Sequence, residues 1–141
     1  MGTRRIGLFE CCMLLFRTAN VPILPDAEAR GVASVFQSPT GGGNVLVAAI
    51  GLPDPQVLGG ETYVAWIRNT PLGQTIPFQL LQTGPVIIEP GVWVGAFVFG
   101  PGEAVAPFED IVVTAEIAPP FIQPSLERIA LIGLFNQCRP Q

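Results

Sequence analysis

The chain has 141 residues, a net charge of −4, 49% hydrophobic residues and only 13% charged residues. This length and composition provide enough apolar material for the core of one domain and exclude an intrinsically disordered chain. All seven basic residues are arginines, and they form no run that could neutralise successive phosphates, so nucleic acid is not an expected partner.

The chain contains neither histidine nor lysine. It therefore lacks the commonest general base, the commonest zinc ligand and the amine of Schiff-base chemistry. No serine has a histidine to activate it, so nucleophilic catalysis lacks its base. We expect a protein without enzymatic activity, cofactor or bound metal. The mean hydropathy of +0.49 predicts that some apolar surface is covered by copies of the chain, by another partner or by lipid.

Residues 1–30 are predicted to form an N-terminal arm and linker ahead of the main body. Arg4 and Arg5 precede an apolar run that resembles an export signal, but Glu10 interrupts this run and no clear cleavage site follows. The run is too continuous to distinguish a strand from a helix or an atypical export signal. We favour an N-terminal strand or arm that docks on the domain or on a neighbouring subunit. Its assembly residues are Leu8, Phe9, Met13, Leu14, Leu15 and Phe16.

Residues 31–141 are predicted to form one all-β domain. Short apolar runs alternate with turns rich in glycine and proline, at intervals typical of antiparallel sheets. We expect an antiparallel β-sandwich, jelly-roll or immunoglobulin-like, with about eight short strands. The predicted strands are GVASVFQ, NVLVAAI, ETYVAWIRN, IPFQLLQ, PVIIE, VWVGAFVF, DIVVTAEIA and ERIALIGLF. No uncharged run is long enough and free enough of glycine and proline to span a bilayer, so no transmembrane segment is expected.

Two of these strands carry specific expectations about burial. The run NVLVAAI is apolar at successive positions and therefore predicts a central strand that is buried on both faces. The run ETYVAWIRN has the two-residue period of a strand. Aromatic side chains in such strands could line a ligand groove, but core packing is the better interpretation. The predicted core aromatics are Tyr63, Trp66, Trp93 and Phe97.

Acidic residues gather in the second half of the chain, at Glu103, Glu109, Asp110 and Glu116. Loops rich in carboxylates can hold calcium, and paired carboxylates can hydrolyse glycosidic bonds. The segment has no regular calcium-loop spacing, and one sequence cannot place two carboxylates in a cleft. A solvated acidic rim is therefore the preferred interpretation.

The three cysteines lie near the two ends of the chain, at Cys11, Cys12 and Cys138. Adjacent cysteines bridge each other only in a strained ring, so Cys11 and Cys12 are expected to face different partners. An odd number of cysteines in an exported protein indicates a bond between chains. Bonds between subunits, a bond within the chain and three reduced thiols all stay open at this point.

The order NVLVAAIGLP, TYVAWIRN and DIVVTAEIAPP resembles the extracytoplasmic C-terminal domain of anti-sigma-K-type factors. The resemblance covers residues 31–133 and implies a small β-sandwich. It does not imply anti-sigma activity, because in that family a separate cytoplasmic zinc-binding segment binds the sigma factor.

A second resemblance concerns the layout of the chain. A short arm with a Cys-Cys pair ahead of a β-sandwich is similar to the subunits of endospore appendage fibres. In those fibres the arm docks into neighbouring subunits and is disulfide-linked to them. The resemblance implies that Cys11 and Cys12 belong to such an arm and that Cys138 is an acceptor.

The sequence therefore predicts a structural subunit that self-assembles into an extracellular or spore-surface fibre or layer through its N-terminal arm. Low charge, high hydropathy and a strand-rich body all suit strand addition between copies of the chain. The alternative is an envelope-associated β-sandwich module that binds or senses a ligand or a partner protein.

Overall fold

A computed structural model describes residues 9–22, 28–39, 42–69, 71, 73–83, 92–101 and 108–138 of the chain. The strands in these ranges are β1 (Phe9–Arg17), β2 (Arg30–Gln37), β3 (Gly43–Ile50), β4 (Thr62–Asn69), β5 (Gln74–Gln79), β6 (Leu81–Thr83), β7 (Val92–Phe99), β8 (Asp110–Glu116) and β9 (Ile129–Leu134). Three short 3-10 helices accompany them, η1 (Pro55–Leu58), η2 (Leu126–Arg128) and η3 (Phe135–Cys138). None of the described helices is long and apolar enough to cross a membrane.

The nine strands form one sheet in the order β5-β4-β8-β9-β1-β2-β3-β7-β6, and every neighbouring pair is antiparallel. The predicted all-β class and antiparallel arrangement are confirmed. The predicted division into two packed sheets, jelly-roll or immunoglobulin-like, stays a prediction. One predicted strand, PVIIE at residues 85–89, lies outside the described residues.

The two ends of the strand order meet through a single residue, Leu80. Strands β5 and β6 lie at opposite ends of the order, yet only Leu80 separates them in the chain. Its side chain is fully buried, and its backbone N–H donates to the carbonyl of Tyr63 at 2.9 Å. A Cβ on Gly95 of β7 would lie 2.7 Å from the carbonyl oxygen of Gln79. The sheet therefore curls until its two ends come into contact, and IPFQLLQ forms two strands rather than the one predicted.

Residues 9–17, which the sequence assigned to an arm, form strand β1, which is fifth in the spatial order of the nine-stranded sheet. Strand β1 pairs with β2 from Phe9 to Phe16 and with β9 at Phe16 and Arg17. The side chains of Met13 and Leu15 are 0% and 1% exposed and belong to the main core. Residues 9–17 form a central strand, because their backbone pairs with β2 and β9 and their inward side chains, Met13 and Leu15, belong to the main core.

The core occupies the concave side of the curled sheet, and a smaller cluster lies behind it. In β4, Tyr63 and Ile67 enter the main core, as the two-residue period of this strand predicts. The alternate residues Val64 and Trp66 pack with Val112 in the second cluster. Strands β4 and β8 are thus buried on both faces.

Strand β3 differs from its prediction as a strand buried on both faces. Its inward residues Val45, Val47 and Ala49 are at most 1% exposed, but Leu46 is 50% and Ile50 is 44% exposed. The physical reason is local. The segment between β8 and β9 contributes Phe121 to the second cluster over β4 and β8, whereas no described segment covers β3 in this way.

Candidate functional site: an uncovered apolar sheet face

Four adjacent strands, β1, β2, β3 and β7, direct alternate side chains away from the core. Directly paired residues of antiparallel strands lie on the same face of the sheet, so the outward positions form rows across the four strands. We call this surface the outer apolar face. Its four rows are Glu10, Phe36, Asn44 and Val98; Cys12, Ser34, Leu46 and Ala96; Leu14, Val32, Ala48 and Val94; and Phe16, Arg30 and Ile50.

Large apolar side chains on this face are widely exposed. Leu14, Phe16 and Leu46 are 51%, 56% and 50% exposed, and Val98 is 73% exposed. Val32, Ile50 and Val94 add to this surface at 46%, 44% and 37% exposed, so the face carries roughly several hundred Å² of apolar surface. The largest apolar patch of a typical monomer covers about 300–600 Å² and is often functional.

Within the four rows of the outer apolar face only Glu10 and Arg30 are charged, and Arg17 and Glu28 line the groove next to Arg30. Glu10 stands in the first row on β1, and Arg30 stands in the fourth row on β2. Both side chains are exposed, and neither forms an ion pair with another described residue. The two middle rows contain no charged residue, so their apolar surface has no polar shield against association.

Shallow grooves follow the same face. One, of about 430 Å³, runs along Leu14, Phe16, Val32 and Ile50. A second, of about 480 Å³, lies over the middle rows next to Leu46. A third, of about 440 Å³, continues past Phe16 onto β9 and η3. The surface therefore has several shallow grooves in place of a single deep cavity. This shape fits another protein surface better than it fits a small substrate.

The structure separates the three predicted cysteines. Cys11 and Cys138 form a disulfide within the chain, with 5.4 Å between their Cα atoms. Cys12 is unpaired and exposed in the second row of the outer apolar face. An intrachain bond thus links β1 to η3, and Cys12 is the cysteine that faces outward.

A glutamine side chain supports the same junction. The Gln137 amide accepts from the backbone N–H of Leu14 at 2.8 Å and donates to the carbonyl of Leu14 at 2.9 Å. These two hydrogen bonds take the place of strand pairing at Leu14, because β1 pairs with β9 only at Phe16 and Arg17. The C-terminal turn therefore completes the edge of β1 with two hydrogen bonds and one covalent bond.

A polar network holds the β8–β9 connection over the second cluster. Trp66 Nε1 donates to Thr114 Oγ1 at 2.8 Å, and the Thr114 hydroxyl donates to Glu116. The Glu116 carboxylate also accepts from the backbone N–H and the hydroxyl of Ser125, each at 2.9 Å. Arg128 donates to the Ser125 hydroxyl at 2.8 Å. Each of these buried polar groups has a structural partner.

The acidic residues do not form a metal site in the described part of the chain. Asp110 accepts two hydrogen bonds from Arg68, both at 2.8 Å, and this pairing raises the pKa of the Arg68 guanidinium above its ordinary value. No group of three or more potential ligands gathers within the described ranges. Glu109 is exposed next to Asp110, and Glu103 lies outside the described residues. The described carboxylates at Asp110 and Glu116 serve structural bonds.

The predicted core aromatics lie inward. Tyr63 and Trp93 meet edge to face with 5.1 Å between ring centroids, and Phe97 packs against the same core. The Tyr63 hydroxyl donates to the carbonyl of Pro53 at 2.8 Å. Trp66 is fully buried in the second cluster. None of these four residues reaches the outer apolar face.

The predicted assembly residues divide between the two sides of β1. Met13 and Leu15 point into the core, whereas Leu14 and Phe16 point outward. Leu8 and the side chain of Phe9 lie outside the described residues. The arm hypothesis therefore identified two residues of the outer apolar face. It missed Leu46, Val32 and their neighbours. The signal for these residues was that β2 and β3 carry apolar side chains on both of their faces.

The site and the fold together define the class of this protein. It is a small antiparallel β-protein with an intrachain disulfide and an apolar sheet face that no described segment covers, and its described residues contain no group of three or more potential metal ligands. The family model of YoqH, an SPbeta prophage-derived uncharacterized protein, matches residues 8–117. The chain belongs to the YoqH family. Comparison with curated proteins and with solved structures found no significant match.

Proposed function

We propose that the protein is a non-enzymatic structural subunit that associates with copies of itself through the outer apolar face. The observation that carries this proposal is the contiguous apolar surface of β1, β2, β3 and β7, whose four rows contain only two charged residues, Glu10 and Arg30. Burial of apolar surface gains about 25 cal/mol per Å², and part of this gain is offset by the translational, rotational and side-chain freedom that association removes. Covering this surface favours association.

The composition of the face supports a second copy as the partner. The centre of a stable protein interface is depleted of charge. The two middle rows of the outer apolar face contain no charged residue. Leu14 and Phe16, which the sequence assigned to assembly, contribute to it from β1.

The disulfide supports a location outside the cytoplasm. Disulfides persist in oxidising compartments and are rare where glutathione keeps thiols reduced. We therefore place the subunit in the extracellular space or on the cell or spore surface. One isologous face yields a closed pair, so growth into a fibre or layer requires a second contact.

The test is analytical ultracentrifugation of the purified protein over a wide concentration range. Self-association predicts a dimer or larger species whose population rises with concentration. Leu46→Thr keeps a residue suited to strands but removes about 2 kcal/mol of apolar burial from each copy. Because a two-fold pair contains two copies, the Kd is expected to rise more than about 100-fold.

Ile122→Thr is the matched control, because Ile122 is 72% exposed but lies in the β8–β9 connection, away from the outer apolar face. This variant is expected to associate like the wild type. A wild type that stays monomeric at all concentrations refutes the proposal. An equal loss of association in both variants shows that the contact lies elsewhere.

A second candidate function is the envelope-associated binding module. The observation that favours it is the groove of about 430 Å³ along Leu14, Phe16, Val32 and Ile50, which could seat a single apolar segment of another protein. This function predicts a monomer. Equilibrium binding of an extended apolar peptide, weakened by Ile50→Thr and not by Ile122→Thr, would favour it over self-association.

A further inference from the structure

We infer that two copies pair face to face about a two-fold axis running across the strands, so that Glu10 of each copy lies beside Arg30 of the other. This inference rests on the proposed self-association and adds its geometry. The occupant of the outer apolar face is then a second copy in one defined orientation.

The two charged residues cannot neutralise each other within one copy. Glu10 pairs with Phe36 in the first row, and Arg30 pairs with Phe16 in the fourth. The first and fourth rows are six residues apart along each strand, which corresponds to roughly 20 Å. Glu10 is the only acidic residue in the four rows, so covering the face without a partner charge would leave it desolvated and unpaired, which opposes association.

Of the two-fold axes in the plane of the face, two keep the strands of both copies aligned, and these two treat the charges differently. An axis along the strands stacks each row on the same row of the partner, which places Glu10 against the partner's Val98 and Arg30 near the partner's Ile50. An axis across the strands stacks the first row on the partner's fourth row. Glu10 then lies over β1 of the partner and next to the partner's Arg30, one strand spacing of about 5 Å to the side.

The separation of packed sheets suits this second arrangement. Face-to-face sheets lie about 10 Å apart, a gap that extended glutamate and arginine side chains bridge from opposite sides. Each Arg30 also lies over the partner's Phe36, where a guanidinium packs favourably on an aromatic ring. Two-fold symmetry produces both contacts twice.

Side-chain size gives an independent argument for the same axis. In the two middle rows, each strand carries one larger and one smaller residue: Leu14 and Cys12 on β1, Val32 and Ser34 on β2, Leu46 and Ala48 on β3, and Val94 and Ala96 on β7. The axis across the strands places the second row of one copy on the third row of the partner, and it places each strand on the same strand of the partner. Every larger side chain then meets a smaller one.

The alternative axis keeps only half of this match. It stacks β1 on the partner's β7 within the same row, so that Leu14 meets the partner's Val94 and Cys12 meets the partner's Ala96, large on large and small on small. On β2 and β3 it still sets Val32 against the partner's Ala48 and Leu46 against the partner's Ser34. Interface packing approaches the density of protein interiors, so the interdigitating arrangement is favoured.

The experiment is a charge-swap cycle measured by analytical ultracentrifugation. Glu10→Arg and Arg30→Glu each place like charges opposite one another, and each is expected to raise the Kd at least about 10-fold. The double variant restores opposite charges in exchanged positions and is expected to return the Kd to within about 3-fold of the wild type. Because both positions are exposed and roughly 20 Å apart within one copy, no intrachain contact can produce the rescue.

Crosslinking at Cys12 provides a second readout of the orientation. The proposed axis places the Cα atoms of Cys12 and the partner's Cys12 about 12 Å apart, whereas the axis along the strands places them about 17 Å apart. A bismaleimide too short for the wider separation is expected to yield a covalent dimer from wild type and none from Cys12→Ser.

The outcomes separate the geometry from the proposed function. A dimer in which the two charge reversals weaken association additively, without rescue, overturns the inferred orientation and leaves self-association standing. A dimer that the short reagent does not crosslink also contradicts the orientation. A wild type that is monomeric throughout overturns both proposals.

Discussion

Removing the disulfide between Cys11 and Cys138 is expected to destabilise the fold strongly. The two cysteines are separated by 127 positions in the chain. In the chain-entropy account, a crosslink that closes a loop of about 100 residues stabilises the folded state by about 4.7 kcal/mol, through restriction of the unfolded chain. Measured effects are commonly smaller. The expected loss for Cys11→Ser/Cys138→Ser is therefore about 3–5 kcal/mol.

Equilibrium unfolding in urea, followed by tryptophan fluorescence, measures this loss. Trp66 and Trp93 lie in different clusters and report on both. With a slope of about 2 kcal/mol per molar urea, the unfolding midpoint is expected to fall by about 2 M. The protein concentration must be held constant across the variants, because association also stabilises the folded state.

Cys12→Ser is the matched control, because Cys12 neighbours Cys11 but takes no part in the bond. Its stability is expected to follow that of the wild type. An unchanged midpoint in the double-serine variant, with the wild-type bond verified by mass spectrometry, would refute the entropic reasoning.

Three further predictions concern the interior. Gly133→Ala places a Cβ 2.5 Å from the carbonyl oxygen of Leu14 and is expected to lower the free energy of unfolding by about 3 kcal/mol in urea titrations. Thr114→Val removes the acceptor of the buried Trp66 N–H, and thermal unfolding is expected to show a loss of about 1–3 kcal/mol. Burial, reinforced by a nearby carboxylate, raises the pKa of Tyr63 above its usual value of about 10. Because the folded state disfavours tyrosinate, the stability from this burial is complete below pH 10 and is lost as the pH rises further. Ultraviolet absorbance of tyrosinate is expected to appear only on unfolding.

Each of these predictions has a control or a contradicting result. Gly73→Ala tests backbone strain without crowding, since Gly73 has a φ of +66° and no atom within 4 Å of an added Cβ. A cost equal to that of Gly133→Ala would show that steric contact is not the cause. Thr83→Val, in the exposed strand β6, is expected to be near neutral. Tyrosinate absorbance that rises near pH 10 while the protein stays folded would contradict the burial argument for Tyr63.

Local patterns in the sequence predicted the strands whose burial follows their own alternation. Strand β4 is the clearest case, because Tyr63 and Ile67 enter one cluster while Val64 and Trp66 enter the other. Turn residues predicted the strand boundaries in the same way. These features depend on neighbours along the chain, so one sequence is sufficient to find them.

The features that the sequence missed depend on distant parts of the chain. Strand β1 is central because β2 and β9 both pair with it, and the pairing of Cys11 with Cys138 depends on where η3 ends. The bend at Leu80 divides one predicted strand between two ends of the sheet.

The candidate site was missed for a related reason. Apolar residues on both sides of a strand predict double burial, but they do not reveal whether a covering segment exists. Over β4 and β8 the connection after Glu116 supplies that cover with Phe121. Over β3 no described segment does so, and Leu46 is left at the surface.

The disulfide also determines how the folded protein responds to mechanical load. Tension applied to the chain before Cys11 and after Cys138 passes through a covalent link between Cα atoms that are only 5.4 Å apart. Apart from Phe9 and Glu10 at the start of β1, the nine strands lie outside this path, so their hydrogen bonds carry no load and the domain beyond Cys11 does not extend. Once the bond is reduced, the same tension peels β1 from β2 and β9, and the molecule becomes extensible.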